Sequence, residues 1–334
     1  MKISFYVTGS ATSSHTNLID QIKYADDLGF DSIWLRERHF HPDHQGRNFF
    51  SSPFVAASFI AAKTKNIRIG IGAKLLPLDH PIHVAEGGAT VDIISNGRLD
   101  FGIARIGEND LYQNAFGVEA DKVRIRFEES FEVIIKAWTL NIFSHEGLNY
   151  NFPEVHVSPK PVQKPHPPVY LVGISSETLR FGAERGLPLL IAGAQTVTIV
   201  NKTQQKYCEM LSEMGYKKED VVNPVNRFIY VAESMEKAKE ETEKAIMGFI
   251  HREDSVIRDF LNLPKEEITF DLLSKEVCVF GDPEYCLRRI DDMKNHIDLR
   301  HLILTFNYHT IDHDKCMRSM KRFAKYVMPY LREV

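Results

Sequence analysis

Short apolar runs alternate with stretches of helical period along most of this chain. Ile3–Val7 is one strand's worth of apolar residues. Thr16–Leu28 repeats Leu18, Ile22, Ala25 and Leu28 at helical spacing and stops at Gly29, a glycine C-cap. Ser32–Leu35 predicts a second strand. Pro53–Lys63 predicts a helix opened by Ser52 as N-cap and Pro53 as its first residue. Ile67–Ala73 alternates as a third strand, His83–Ile94 is a helix closed by Asn96-Gly97, and Leu99–Ala104 is a fourth strand. Val123–Trp138 follows as a long amphipathic helix. Four strand–helix repeats in the first half favour a parallel sheet covered by helices.

The rhythm then changes. Phe143–Val157 alternates around Gly147 and Asn149 like a hairpin, and SPKPVQKPHPP holds five prolines in eleven residues, an extended loop. Strands are expected again at Val169–Gly173, Leu187–Ala192, Arg227–Ala232 and His301–Phe306. Helices are expected at Ser175–Arg185, Val197–Met214, Met235–Ile250, Asp282–His296 and Asp312–Met328. His251–Ser274 shows no clean period and reads as a mobile lid or binding loop. Eight strand–helix units predict an α/β fold, a (β/α)8 TIM barrel forming a single domain over residues 1–334. It has insertions near 143–168 and 251–274. A doubly wound sheet is the alternative.

Composition narrows the function classes. The 334 residues carry 41 Lys+Arg against 45 Asp+Glu, a formal charge of −4, so no global field favours nucleic acid or an anionic membrane. Cys208, Cys278, Cys286 and Cys316 are scattered without a CxxC pair, which suggests reduced cytosolic thiols. No apolar run reaches the length of a membrane span, and the first residues lack a secretory core. A soluble cytoplasmic protein is expected.

Charge gathers at strand ends, where a barrel places its chemistry. Trp34–Phe40 (WLRERHF) delivers Glu37, Arg38 and His39. Glu can orient a ring N–H, Arg can stabilise a developing anion and His can exchange protons near neutrality. A salt bridge at a strand end explains the same residues equally well. His39, His41 and His44 lie at H-x-H-x-x-H spacing, but Pro42 makes a turn and no H-E-x-x-H helix accompanies them, so no metal is expected. Arg105 follows the apolar strand LDFGIA and suits a phosphate clamp, or an ion pair with Glu108 or Asp110. Gly173, Ser175, Ser176 and Thr178 join a strand to a helix start, where hydroxyls and free amides suit an anion, or where Ser175 simply caps the helix. Gly70–Ala73 ends a strand in small residues that admit a flat ligand or ordinary packing.

At these residues the chain resembles the bacterial luciferase-like superfamily of flavin-dependent monooxygenases. The resemblance runs through GFDSIWLRERHF, SPFVAASFIAAKT, LLPLDHPIHVAE, SNGRLDFGIAR, AFGV, PPVYLVG, AERGLP and VMPYL. It implies a TIM barrel, reduced FMN as co-substrate, molecular oxygen and a separate flavin reductase. Arg105, Ser175 and Thr178 match phosphate-binding positions. Gly72-Ala73 matches the pair behind the isoalloxazine ring, where a non-proline cis peptide is typical. Glu37 matches an acidic residue beside the flavin, and Tyr6 an aromatic near the ring.

The chain also departs from luciferase's catalytic subunit. Arg38 stands at the catalytic histidine, Ala104 at a reactive cysteine, Gly193 at a pocket tryptophan and Ile174 at an acidic residue of the phosphate loop. Those changes argue against light emission with a long-chain aldehyde. The resemblance implies an FMN-dependent monooxygenase of an unidentified small organic substrate, paired as a homodimer through the early helices. Two alternatives stand beside it: hydride transfer with the deazaflavin F420, and a non-catalytic flavin-binding subunit.

Overall fold

A computed structural model describes residues 1–9, 12, 14–40, 50–107, 110–251, 261 and 263–332. In chain order its elements are β1 (Lys2–Val7), α1 (His15–Asp27), β2 (Ser32–Leu35), α2 (Pro53–Lys63), β3 (Arg68–Leu75), α3 (Pro81–Ile94), β4 (Leu99–Ala104), α4 (Asp110–Phe116) and α5 (Val123–Thr139). Then come β5 (Phe143–Glu146), β6 (Asn151–Val155), β7 (Val169–Val172), α6 (Ser176–Ala183), α7 (Val197–Glu213), β8 (Val225–Val231) and α8 (Met235–Ile250). Last are α9 (Phe270–Glu276), β9 (Cys278–Gly281), α10 (Pro283–Lys294), β10 (His301–Thr305), α11 (His313–Tyr326) and α12 (Met328–Arg332). This is the expected α/β order of strands alternating with helices. Every ladder named below is parallel except the β5–β6 hairpin.

Two compact units partition these residues: Met1–Trp34 with Ile174 onward, and Leu35–Phe40 with Phe50–Gly173. In the second unit β3 pairs with β4, and β4 with β7. The register slips between Ile71 and Lys74. Gly102 on β4 permits that irregularity, because a Cβ there would sit 2.2 Å from the Ile71 carbonyl oxygen. The small residues of α3 serve packing: a Cβ on Gly87 would meet the Phe54 ring, and one on Gly88 the Trp138 ring, each at 2.8 Å. Trp138 Nε1 donates to the Ala85 carbonyl at 2.9 Å, which fixes α5 against α3. The predicted hairpin forms as β5–β6 and is tied to α5 by buried Glu129. That carboxylate accepts from the Asn149 amide (2.9 Å), Asn149 Nδ2 (2.8 Å) and the Tyr150 amide (2.8 Å), and lies 3.0 Å from His145 Nε2. Burial works to raise its pKa, but these hydrogen bonds hold it below the usual carboxylate range.

In the first unit β1 pairs with β10, β10 with β8 and β8 with β9. A layer of rings, Phe5, Phe30, Phe306 and Phe323, packs edge-on and tilted beneath them. Ser4 Oγ lies 2.6 Å from Ser32 Oγ and 2.7 Å from His301 Nε2. Burial, with Lys2 nearby, pushes the His301 imidazole down to about 4. Cys278, Cys286 and Cys316 are buried free thiols, and burial raises each of them.

Three element expectations change. Leu187–Ala192 is not a strand but meets β8 in one parallel bridge, Ile191 to Val225. Pro188 interrupts the run and brings no N–H, the Leu189 amide turns to Asn223 Oδ1 (2.8 Å), and Tyr207 Oη takes the Leu187 carbonyl. Cys278–Gly281 is a strand that four apolar residues before the Asp282 cap did not announce. The loop expected over 251–274 ends early, because Thr269 caps α9 through the Leu272 amide. Residues 252–260 and 262 of that loop lie outside the described ones. Among the described residues no helix is long and apolar enough to cross a membrane.

Candidate functional site

The end of β2 brings Glu37, Arg38 and His39 into the second unit, where β3 supplies an unforeseen partner. Lys74 Nζ donates to Glu37 Oε1 at 2.5 Å and also to Asp79 Oδ2. The Leu75 amide donates to Glu37 Oε2 at 2.7 Å, and His39 Nε2 lies 3.1 Å from Glu37 Oε1. Glu37 and Lys74 are deeply buried, with side chains 2% and 4% exposed. A carboxylate so placed needs its cation and its donors, since desolvation of an unpaired charge is costly. The salt-bridge reading of Glu37 therefore holds, but with Lys74 rather than a neighbour in the motif.

His39 is fixed from its other side as well. Its amide donates to Tyr112 Oη at 3.0 Å, and its ring packs against Phe116 and Tyr112 at centroid distances of 4.8 and 5.9 Å. Glu37, His39, Lys74, Asp79, His83 and Phe54 line a cavity of about 380 Å³. The arrangement joins an oriented imidazole to a charge-compensated carboxylate at a cavity wall, the equipment for moving one proton. Arg38 is half-buried beside them. His41 and His44 lie outside the described residues.

Gly72 and Ala73 are buried in β3 immediately before Lys74, and the peptide bond between them is cis. Arg105 is half-buried just past β4. The next residue, Ile106, is buried with Leu78, Val118 and Val123, anchoring the segment. Glu108 and the Asp110 side chain lie outside the described residues. Gly173, just past β7, has φ 146°, in the region that favours glycine.

The remaining candidates belong to the first unit. Ser175 caps α6: its Oγ accepts from the Thr178 amide at 3.3 Å and lies 2.9 Å from Thr178 Oγ1. The capping role is thus realised, and it holds both hydroxyls at the helix start. Ser176 Oγ accepts from Lys206 Nζ at 2.7 Å, so α7 adds a cation to the α6 N-terminus. Tyr6 is half-buried on β1.

Sequence reasoning missed Lys74, Asp79 and Lys206. Lys74 left one signal, a lone charge inside the apolar stretch GIGAKLLPL. Lys206 left none, since one lysine on a polar helix face is ordinary.

Residues 3–298 match the family described as luciferase-like monooxygenase. The chain belongs to that family. It is 26% identical to the alkanal monooxygenase alpha chain of the Kryptophanaron alfredi symbiont over 344 residues, covering 95% of this chain and 92% of the relative. The oxygenating constituent of 3,6-diketocamphane monooxygenase from Pseudomonas putida, solved in complex with FMN, superposes with a TM-score of 0.82 at 19% identity, over 98% of both chains. The coenzyme F420-dependent tetrahydromethanopterin reductase of Methanopyrus kandleri superposes at 0.77 and 17% identity, over 99% of both. The two superpositions show a shared fold.

Proposed function

We propose that this chain is the oxygenating component of a flavin-dependent monooxygenase, using reduced FMN and molecular oxygen on a small organic substrate. The observation that carries the reading is the Glu37–His39 pair, locked by Lys74 at a cavity wall. A strand-end salt bridge alone would not need an imidazole held on two sides.

The donor set at the start of α6 suits a phosphate monoester. It offers the hydroxyls of Ser175, Ser176 and Thr178, the Lys206 ammonium and the helix N-terminus. By the family resemblance, Arg105 is a phosphate-binding candidate in the second unit, with Gly72, Ala73 and Gly173 as candidates for the flat ring system, and Tyr6 is the aromatic candidate in the first unit. Bound reduced FMN would supply the two electrons that activate oxygen. The protein's part is to hold the phosphate, to shield the reacting face and to hold or take a proton at His39, with Arg38 as a fixed cation for anionic charge.

A separate flavin reductase would deliver the reduced flavin. A second copy of the chain would pair through α2 and α3, where Val55, Phe59, Ile93 and Ile94 are exposed. The likeness to the F420-dependent reductase supports a second reading, oxygen-independent hydride transfer.

Anaerobic titration with photoreduced FMN, followed by mixing with oxygenated buffer, tests the proposal. Saturable binding with protein-dependent oxygen chemistry is expected. Absence of FMN binding with saturable F420 binding would transfer the site to the second reading, and FMN binding with nothing but free-flavin reoxidation would leave a non-catalytic flavin carrier.

A further inference from the structure

Lys74 has three ammonium protons, and the described structure directs two of them to Glu37 and Asp79. Glu37 in turn carries three contacts on two oxygens: Lys74 and His39 on Oε1, and the Leu75 amide on Oε2. An ionised carboxylate is acceptor-only. While Lys74 keeps Glu37 ionised, His39 must present Nε2–H to it, and the neutral ring then offers Nδ1 as its basic nitrogen. Among the described residues, the charged and titratable groups around His39 are Glu37 and Lys74, with Arg38 next in the chain, Asp79 and His83 on the cavity wall and the Tyr112 hydroxyl on its amide.

We infer that Lys74 is a positioning residue for the oxygenation reaction: its ammonium holds Glu37 as an acceptor and thereby keeps His39 Nε2 as the donor and Nδ1 as the basic nitrogen of the ring. This deepens the oxygenase reading and rests on it for its kinetic consequence, but the proton placement stands on geometry alone. Removing the Lys74 charge leaves Glu37 buried beside an imidazole, and the nearest compensation is a second proton on His39. A doubly protonated ring has no lone pair to act as a base.

Imidazole nitrogen NMR of the full-length protein near neutral pH reads this directly, in the wild type, Lys74→Met, Lys74→Arg and the Lys74→Met/Glu37→Gln double variant. The wild type and Lys74→Arg are expected to show a neutral His39 protonated at Nε2, and Lys74→Met a doubly protonated ring. The double variant, with both charges gone, is expected to fold and to lose the single tautomer. In turnover, Lys74→Met should lower kcat by about 100-fold, the scale of lost general-base catalysis, and Lys74→Arg should restore most of it. FMN affinity should change by less than about twofold, because Lys74 is not among the proposed phosphate donors. A His39 spectrum unchanged in Lys74→Met overturns the inference. If Lys74→Met does not fold, an unaltered tautomer in the double variant overturns it. A wild type without oxygen-dependent turnover that still shows the expected nitrogen spectra would sink the oxygenase reading and leave the placement of Lys74 intact.

Discussion

The end of β3 and the start of α6 treat charge in opposite ways. At the end of β3, Lys74 and Glu37 are almost fully buried and each is bound by groups of the chain itself. At the start of α6, Ser176 and Lys206 are exposed and share one hydrogen bond. A buried charge must be satisfied by the fold, so it is poised to orient another group. An exposed cation keeps its shell of water until a ligand replaces it, so it is suited to bind. On the proposed function the first region should contribute to stability and chemistry together, whereas the second should be nearly neutral for stability and decisive for affinity.

The largest effect should come from breaking the buried pair. Glu37→Ala leaves buried Lys74 with only the half-exposed Asp79 and should cost about 3–5 kcal/mol of folding free energy, read from urea unfolding. A loss below about 1 kcal/mol would place the pair in the class of surface salt bridges and erase the contrast.

The second test uses pH on another buried group. His301 is held down to about 4 by burial, against 6.5 when unfolded. Between those values the unfolded chain binds the proton and the folded one does not, so stability falls as pH drops from 6.5 toward about 4. The loss should approach about 3 kcal/mol, and His301→Gln should flatten that limb of the stability curve. An unchanged limb would remove His301 as its source.

Smaller effects belong to half-buried Arg105 and to the exposed start of α6. Arg105→Ala should weaken FMN binding by about 1–3 kcal/mol, measured by the same anaerobic titration, with unfolding shifted by less than about 0.5 kcal/mol. Lys206→Ala should weaken FMN by about 1 kcal/mol and lose most of that effect at high salt, since screening acts on exposed charges. A stability loss without an affinity loss in either variant would mean that the exposed region is structural after all.

These contrasts mark what could be read from the chain. Glu37 and His39 were legible because they end an apolar run, yet the partner that makes them a unit was not. Lys74 lies 37 residues from Glu37, and no periodicity links two charges brought together by neighbouring strands. The capping of α6 by Ser175 was legible because it is local, three residues from the Thr178 amide that donates to it. The strand at Cys278–Gly281 was not, because four apolar residues carry too little periodic signal. The run at 187–192 misled for the reverse reason: it is apolar enough for a strand, but Pro188 and the side chain of Asn223 divert its hydrogen bonds.

By itself the sequence determined the α/β alternation, the hairpin near residue 143, the capping of α6 by Ser175 and the family, all of which rest on local patterning and on motif order; Ser52 stands at the start of α2 as expected but makes no side-chain capping bond. Tertiary structure alone decided that Glu37 is a buried carboxyl group paired with Lys74 rather than a solvated end-of-strand charge. It also decided that Gly87, Gly88 and Gly102 are demanded by close approach of Phe54, Trp138 and the Ile71 carbonyl. The reason is one of range. Hydrogen bonds within a turn and apolar period are written over a few residues, whereas desolvation depends on everything that closes around a group, and those atoms come from the whole unit.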